Sequence, residues 1–418
     1  MRNRVPGQLI IQYTDKCNAR CPQCGMRATE PFRRSTLRLD TVKRMIDHAA
    51  ENGVNAISFT GGEPFLFFDD IMELVRYARD AGITYTRTGT NGFIFMNSDK
   101  PDFYPRIRRI AEGIAASGLY TFWISIDSAV PSLHEKMRGL PGVIEGMGKA
   151  MPVFNEFGIY PSANLGINRN TGGEAATGGE CQASTSSQDL YESFKAAFRK
   201  FYRRVVDLGF TIVNACYPMS VDESDAAGLD AVYGATSASS IIQFSGQERA
   251  VVFKALFDTI PEFRSKIRIF SPRTSLYSLI RQYTLDESYS YSCRGGIEFF
   301  FVNASDGNTY PCGYRGADNL GKFWELDFSK PDKKPECRRC DWECFRDPSE
   351  LSGPLLTLFG NPAYFLERVV KDTAYMKLWL EDIRYFAACN FFDGRTAPDF
   401  NKLSSFAMKS GNGELEKG

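Results

Sequence analysis

Six times within its first 217 residues the chain alternates a short apolar run with a longer amphipathic stretch. The runs are QLIIQYT (8–14), VNAISFT (54–60), ITYTRTGT (83–90), YTFWISID (120–127), IYPSANLGI (159–167) and FTIVNACY (210–217). Their length and their β-branched and aromatic content predict strands. Helical periodicity fills the spaces between them, at 37–52, 69–81, 102–117, 142–157 and 187–207. A strand that crosses over through a helix returns parallel to its neighbour, so the pattern implies an α/β fold with a parallel sheet. Six such units suit a partial (β/α)6 TIM-like barrel better than a small doubly wound sheet, and in such barrels the chemistry lies at the C-terminal strand ends.

At 418 residues the chain exceeds the roughly 200–250 residues of one barrel and leaves room for an appended module. The barrel is assigned to 8–225 and a helical linking region to 226–289, with 246–283 as its helical pattern. A cysteine-bearing unit follows at 290–350, opened by a hairpin, IEFFFVNASDGNTYPCG, that turns at Asp306-Gly307. The C-terminal region 351–408 contains amphipathic helix over 362–389, and 409–418 (KSGNGELEKG) is polar enough to be disordered. The stretch 170–187 is rich in glycine, serine and threonine and reads as a loop, which makes its Cys181 incidental.

Lysine plus arginine equals aspartate plus glutamate at 50 each, so no net field draws the chain to nucleic acid or to an anionic membrane. A small-molecule partner is expected instead. The first residues hold only a short apolar run, and no run of about 18 apolar residues follows, which predicts a cytoplasmic protein without a membrane partner.

In such a compartment eleven cysteines are poor disulfide material and good metal ligands. Eight of them fall in two groups: Cys17, Cys21 and Cys24, and then Cys293, Cys312, Cys337, Cys340 and Cys344. The first group sits in the loop that follows the first strand. Three thiolates on one short loop can bind three irons of a cubane and leave the fourth open. A structural zinc site asks for a fourth ligand, and the only histidines are His48 and His134.

The Cys17, Cys21, Cys24 spacing resembles the signature of the radical S-adenosylmethionine (SAM) superfamily, and four later motifs agree with it in order. Thr60-Gly61-Gly62-Glu63-Pro64, ending the second strand, is similar to that family's glycine-rich motif. The resemblance implies that Glu63 holds the methionine amino group, with small residues where a Cβ would strike the ligand. Thr88, Thr90 and Asn91 resemble the turn beside the ligand. Ser125 and Asp127 end the fourth strand, and Arg138 follows at a spacing similar to the family's serine and arginine pair. Arg138 would then grip the methionine carboxylate while Ser125 or Asp127 meets ribose or amine. Asn164 and Gly166 fall where the family has adenine and ribose contacts. The family commonly has an aromatic residue before the third cysteine, where this chain has Gln23.

The second group resembles the opening of the auxiliary-cluster domains called SPASM and Twitch. Five cysteines fall short of the seven of a full SPASM domain, so the resemblance implies one auxiliary 4Fe-4S cluster. Cys293, Cys312 and Cys340 fit as ligands, Cys337 fits the Twitch pattern, and Cys344 competes for the last position. A zinc knuckle from the same residues is the alternative.

The family's chemistry would be reductive cleavage of SAM to a 5′-deoxyadenosyl radical, fed by a reductase such as flavodoxin or ferredoxin, and hydrogen abstraction from a small-molecule substrate. Peptide modification is the runner-up, and epimerisation with Cys216 as hydrogen donor is another. A cysteine in an apolar strand is otherwise ordinary core. A zinc-stabilised binding module, and a metal-dependent hydrolase for which two histidines are too few, are remote alternatives.

Overall fold

The computed structural model describes residues 5–24, 33–173, 186–218, 239–284, 290–328, 336–338 and 341–408. Cys181, Cys340 and the segment 409–418 lie outside the described residues. Strand β1 (Gly7–Thr14) is buried along its whole length. It has a parallel neighbour on each side: β2 (Val54–Gly61) and β8 (Phe299–Val302). From β2 the sheet runs through β3 (Tyr85–Thr90), β4 (Thr121–Ser125), β5 (Ser162–Gly166), β6 (Ile212–Cys216) and a short β7 (Arg268–Ile269), every pair parallel. Beyond β8 the antiparallel β9 (Thr309–Tyr310) forms the other edge of a nine-stranded sheet.

Helices cover the outer face because parallel neighbours need crossovers. They are α1 (Leu39–Glu51), α2 (Phe68–Asp80), α3 (Phe103–Ser117), α4 (Pro131–Arg138), α5 (Val143–Glu156), α6 (Ser187–Asp207), α7 (Gly246–Phe263) and α8 (Arg273–Tyr283). In α1 the buried residues Val42, Met45, Ile46 and Ala49 follow the spacing that keeps one helical face on the sheet. Alternation along each strand sorts the two faces. Leu9, Ile11 and Tyr13 point into the apolar layer between sheet and helices, while Gln8 and Ile10 line the lumen. The main core therefore surrounds the barrel, and the lumen is left for other chemistry.

Three features depart from expectation. The stretch 246–283 is not one helical run, because β7 separates α7 from α8; two strand residues are too few to show a period of two. The hairpin of 290–350 pairs with β1, so one sheet is continuous across the expected limits 8–225 and 290–350. Helix α9 (Glu343–Gly360) begins before the expected helical region of 351–408 and crosses the limit at 350, with Pro348 and Pro354 inside it, residues whose helix propensity is poor. Burial of Phe345, Arg346, Asp347, Ser349 and Glu350 outweighs that propensity.

The stretch 362–389 forms α10 (Pro362–Lys371) and α11 (Thr373–Ala388), and α12 (Phe400–Ser404) follows. Asp382 of α11 is fully buried, accepts Thr274 N–H (2.7 Å) and Thr274 Oγ1 (2.6 Å), and pairs with Arg264, whose Nη1 also reaches Glu381 at 2.7 Å. After α11 the chain makes a left-handed turn at Asn390, Phe391 and Phe392, with φ of 50°, 49° and 61°. Such a turn costs non-glycine residues roughly 1–2 kcal/mol each. It is held by Gly394, which donates to Tyr120 O (2.9 Å) and accepts from Tyr160 N (2.7 Å), so Phe386, Phe391 and Phe392 wall the N-terminal end of the barrel. Asp382→Ala leaves the buried Arg264 guanidinium with only its ion pair to Glu381. It is expected to cost about 3–5 kcal/mol in chemical denaturation, whereas Asp399→Ala at the exposed start of α12 should cost about 1 kcal/mol.

Candidate active site

The lumen is a cavity of about 480 Å³ that runs from the aromatic wall at the N-terminal strand ends to the C-terminal ends. Register sets its lining: Ser58, Arg87 and Thr121 lie side by side on β2, β3 and β4, and Gly89 lies beside Trp123. A Cβ on Gly89 would sit 2.1 Å from the Trp123 indole, so glycine is what lets that ring lie against β3.

At the C-terminal end, β1 runs into the loop bearing Cys17, Cys21 and Cys24, all of which line the cavity. Gly62 N–H donates to Thr14 O and Glu63 N–H to Lys16 O, each at 2.8 Å. The end of β2 thus clasps the base of the cysteine loop. A Cβ on Gly61 would lie 2.2 Å from Thr14 O, and one on Gly62 2.2 Å from Lys16 O. The glycines are therefore required first by the cysteine loop's own backbone, where sequence reasoning had assigned them to a bound ligand. Cys17 Sγ accepts Ala19 N–H (3.4 Å) and Asn91 Nδ2 (3.8 Å). Burial pushes the Cys17 thiol up and the Cys21 thiol up to about 12.

Glu63 is fully buried and takes Asn91 N–H on Oε2 (2.6 Å) and Phe65 N–H on Oε1 (3.0 Å). Burial raises its carboxyl to about 7 against these backbone bonds. Pro64 follows in a short 3₁₀ turn (Pro64–Phe67) and lines the cavity, as do Thr90, Asn91, Ser125, Asn164 and Gly166. Thr88 does not. It is fully buried on the opposite face of β3 and donates to Phe59 O at 2.8 Å, because strand alternation gives Thr88 and Thr90 one face and Gly89 the other only until the strand ends.

Asp127 organises the next part of the wall. It accepts Arg138 Nε (2.7 Å) and Gln23 Nε2 (2.6 Å), and its own N–H donates to His134 Nδ1 (3.1 Å). Burial opposes ionisation of Asp127, yet the Arg138 guanidinium holds its carboxyl below the usual carboxylate range. Burial, then Arg138, pushes His134 down to about 4, which keeps it a neutral acceptor. Asn168 Nδ2 bridges Asp127 O (2.9 Å) and Gly166 O (2.7 Å), tying the ends of β4 and β5 together. Sequence reasoning missed Gln23, His134 and Asn168 as positioning residues. The departure at Gln23 was the one visible signal.

Cys216, Glu343 and Cys344 meet on the same cavity wall. Cys216 Sγ–H reaches Asn164 Oδ1 at 3.4 Å, and Cys344 Sγ–H reaches Glu343 Oε1 at 3.5 Å. Burial raises both thiols well above the ordinary cysteine value and Glu343 to about 7. Cys344 therefore lines the barrel. A separate cleft gathers Cys293, Cys312 and Cys337 with Trp342, Phe345 and Arg346, and Cys293 N–H donates to Cys337 O at 2.8 Å. Cys344 is not among the residues lining that cleft, although it packs against the same apolar cluster as Cys293. Among the described residues no three His, Cys, Asp or Glu side chains converge on a point fit for a single metal ion. Thiolates that each bind a different iron of a cluster need no such convergence.

Gly62→Ala drives a methyl group into the Lys16 carbonyl. It is expected to cost at least about 2 kcal/mol in denaturant unfolding, and to leave Cys17, Cys21 and Cys24 more reactive toward a thiol reagent than in the parent.

Residues 11–152, from β1 through most of α5, match the family model described as the radical SAM superfamily. The AdoMet-dependent heme synthase of Methanosarcina barkeri is 24% identical over 349 residues, covering 84% of this chain and 87% of that protein. The GTP 3′,8-cyclase of Alkaliphilus metalliredigens is 30% identical over 178 residues, covering 38% of this chain and 52% of that one. The crystal structure of Streptococcus suis SuiB bound to S-adenosylmethionine shares the fold, with a TM-score of 0.50 at 16% identity over 83% of this chain and 67% of that one. No helix among the described residues is long and apolar enough to cross a membrane. The matched segment carries the cysteine loop, the clasping glycines and the Asp127–Arg138 pair, so the chain contains a radical SAM domain, built on a partial α/β barrel.

Proposed function

We propose that this enzyme oxidises a small molecule held in the barrel, using a 4Fe-4S cluster on Cys17, Cys21 and Cys24 and a second cluster on Cys293, Cys312, Cys337 and Cys340. The observation that carries the reading is the convergence of three thiols, a buried carboxyl and a largely buried guanidinium on one cavity at the strand ends. That donor set fits a cluster with one open iron and a bound amino acid end. Glu63 offers a carboxylate to an ammonium, and Arg138, engaged by Asp127 through Nε, offers the rest of its fork to a carboxylate. Asn164 and Ser125 supply polar contacts for the remainder of the ligand. Bound there, the cluster and SAM supply a 5′-deoxyadenosyl radical, the species that removes hydrogen from an unactivated carbon. The protein's own part is to orient the reactants and exclude water.

The second cleft also fits an anionic cluster. Arg346 lines it, and the Nε, Nη1 and Nη2 of that buried guanidinium make no hydrogen bond among the described residues; its ion pair with Glu350 is long, at 3.4 Å. Thiolate-bound iron would offset that charge. Cys340 is the fourth ligand that the CRRCDWEC spacing supplies once Cys344 belongs to the barrel. An electron donor such as flavodoxin or ferredoxin completes the system. A cavity of about 480 Å³ with an aromatic floor favours a small substrate over a peptide. A second reading, hydrogen return from a thiol, is favoured by Cys216 and Cys344, which burial keeps protonated on the cavity wall.

Iron and sulfide analysis of anaerobically reconstituted protein tests this. The parent should hold about eight irons, and the Cys17→Ala, Cys21→Ala, Cys24→Ala variant about four. Cys293→Ala with Cys312→Ala should lose the other four, while Cys344→Ala keeps the parent's content. Iron that stays in the triple variant, or zinc in its place, would overturn the assignment.

A further inference from the structure

The charged side chains that line the barrel cavity are matched in all cases but one. Glu63 holds two backbone N–H groups, Asp127 and Arg138 hold each other, and Glu343 bonds Cys344. Arg87 is the exception. It projects from the middle of β3 between Ser58 and Thr121, and among the described residues its guanidinium makes no ion pair and no hydrogen bond. Its Nε is shut off from solvent without a partner. The Cys344 thiol would offset its charge if ionised, but burial raises that thiol well above the ordinary cysteine value. An uncompensated guanidinium in a barrel interior costs several kcal/mol, and the cost is recovered when an anion arrives.

Building on the functional reading above, we propose that Arg87 anchors the substrate, and that the substrate is a small carboxylic acid whose apolar body fills the aromatic end of the barrel. One guanidinium fork matches one carboxylate in a bidentate pair. A phosphate would ask for more donors than this wall offers, because the open side of Arg138 is committed to the amino acid end of SAM in the reading above and Glu343 lines the same cavity. Below Arg87 the wall turns apolar, with Tyr85, Tyr120, Phe270 and Phe392 around the space. A carboxylate on Arg87 therefore leaves the rest of the molecule among rings and within reach of the strand ends, where Cys216 and Glu343 stand.

The test uses the full chain, reconstituted with iron under anaerobic conditions, and two probes of one shape: 1-naphthylacetate and its neutral amide, 1-naphthylacetamide. Calorimetric titration of the parent should show the acid binding at least about tenfold more tightly than the amide. Arg87→Met should abolish the preference, and Arg87→Lys should keep part of it. Thermal melting without probe separates anchoring from a structural role: Arg87→Met should melt at or above the parent's temperature, since it removes a partly buried charge that has no partner among the described residues. A fall of roughly 5 °C or more, a parent that does not bind the acid or does not distinguish it from the amide, or a preference that survives Arg87→Met would each overturn the proposal. The functional reading stands or falls separately, on the parent's iron content and its production of 5′-deoxyadenosine from SAM.

Discussion

Two backbone hydrogen bonds, from Gly62 and Glu63 to the carbonyls of Thr14 and Lys16, hold the site together. They join the ends of β1 and β2 where the chain leaves the sheet, and they fix where the cysteine loop begins. The same peptide that donates to Lys16 carries the Glu63 carboxyl, whose other contacts reach Asn91 at the end of β3. Asn91 in turn donates to Cys17 Sγ and to Asn18. Three strand ends are thereby coupled through main-chain groups, which have far less freedom than side chains. The cost is that neither Gly61 nor Gly62 tolerates a Cβ.

Helix α9 is the second organising element. Its first turn faces the barrel with Glu343 and Cys344, its next residues face the second cleft with Phe345 and Arg346, and Trp342 lines both spaces. Deeper in the helix, Asp347 accepts Tyr217 Oη at 3.2 Å and Ser275 Oγ at 2.5 Å, which locks the helix against β6 and α8. One helix therefore contributes side chains to both spaces.

The six strands of the first half were legible because a buried parallel sheet leaves apolar runs separated by amphipathic helices, and the cysteine loop was legible because its spacing is local. What escaped was decided by tertiary contact. Arg268 and Ile269 pair as a strand only because β6 offers an edge. Pro348 and Pro354 sit in a helix because the surrounding core outweighs their propensity. Gln23 looked like a departure from a pattern, and its role became visible only when Asp127 was found within 2.6 Å, more than a hundred residues away in sequence. Thr88 and Thr90 were grouped by sequence proximity, yet only Thr90 reaches the cavity.

Two buried arginine pairs show how similar chemistry serves opposite ends. Arg264 meets Asp382 and Glu381, lies over the Tyr385 ring at 4.3 Å and is sealed from solvent. Its partners leave little to recognise, so the pair binds the C-terminal helices to the barrel. Arg138 meets Asp127 through Nε alone and stands at the cavity edge. Asp127 neutralises the charge enough for the pair to be buried, while the open side of the fork stays available. The difference lies in how many donors the protein itself satisfies. By that measure Arg87, which meets no hydrogen-bond partner among the described residues, leaves the most of its fork open to the cavity, and the aromatic residues toward the N-terminal strand ends bound the space before it.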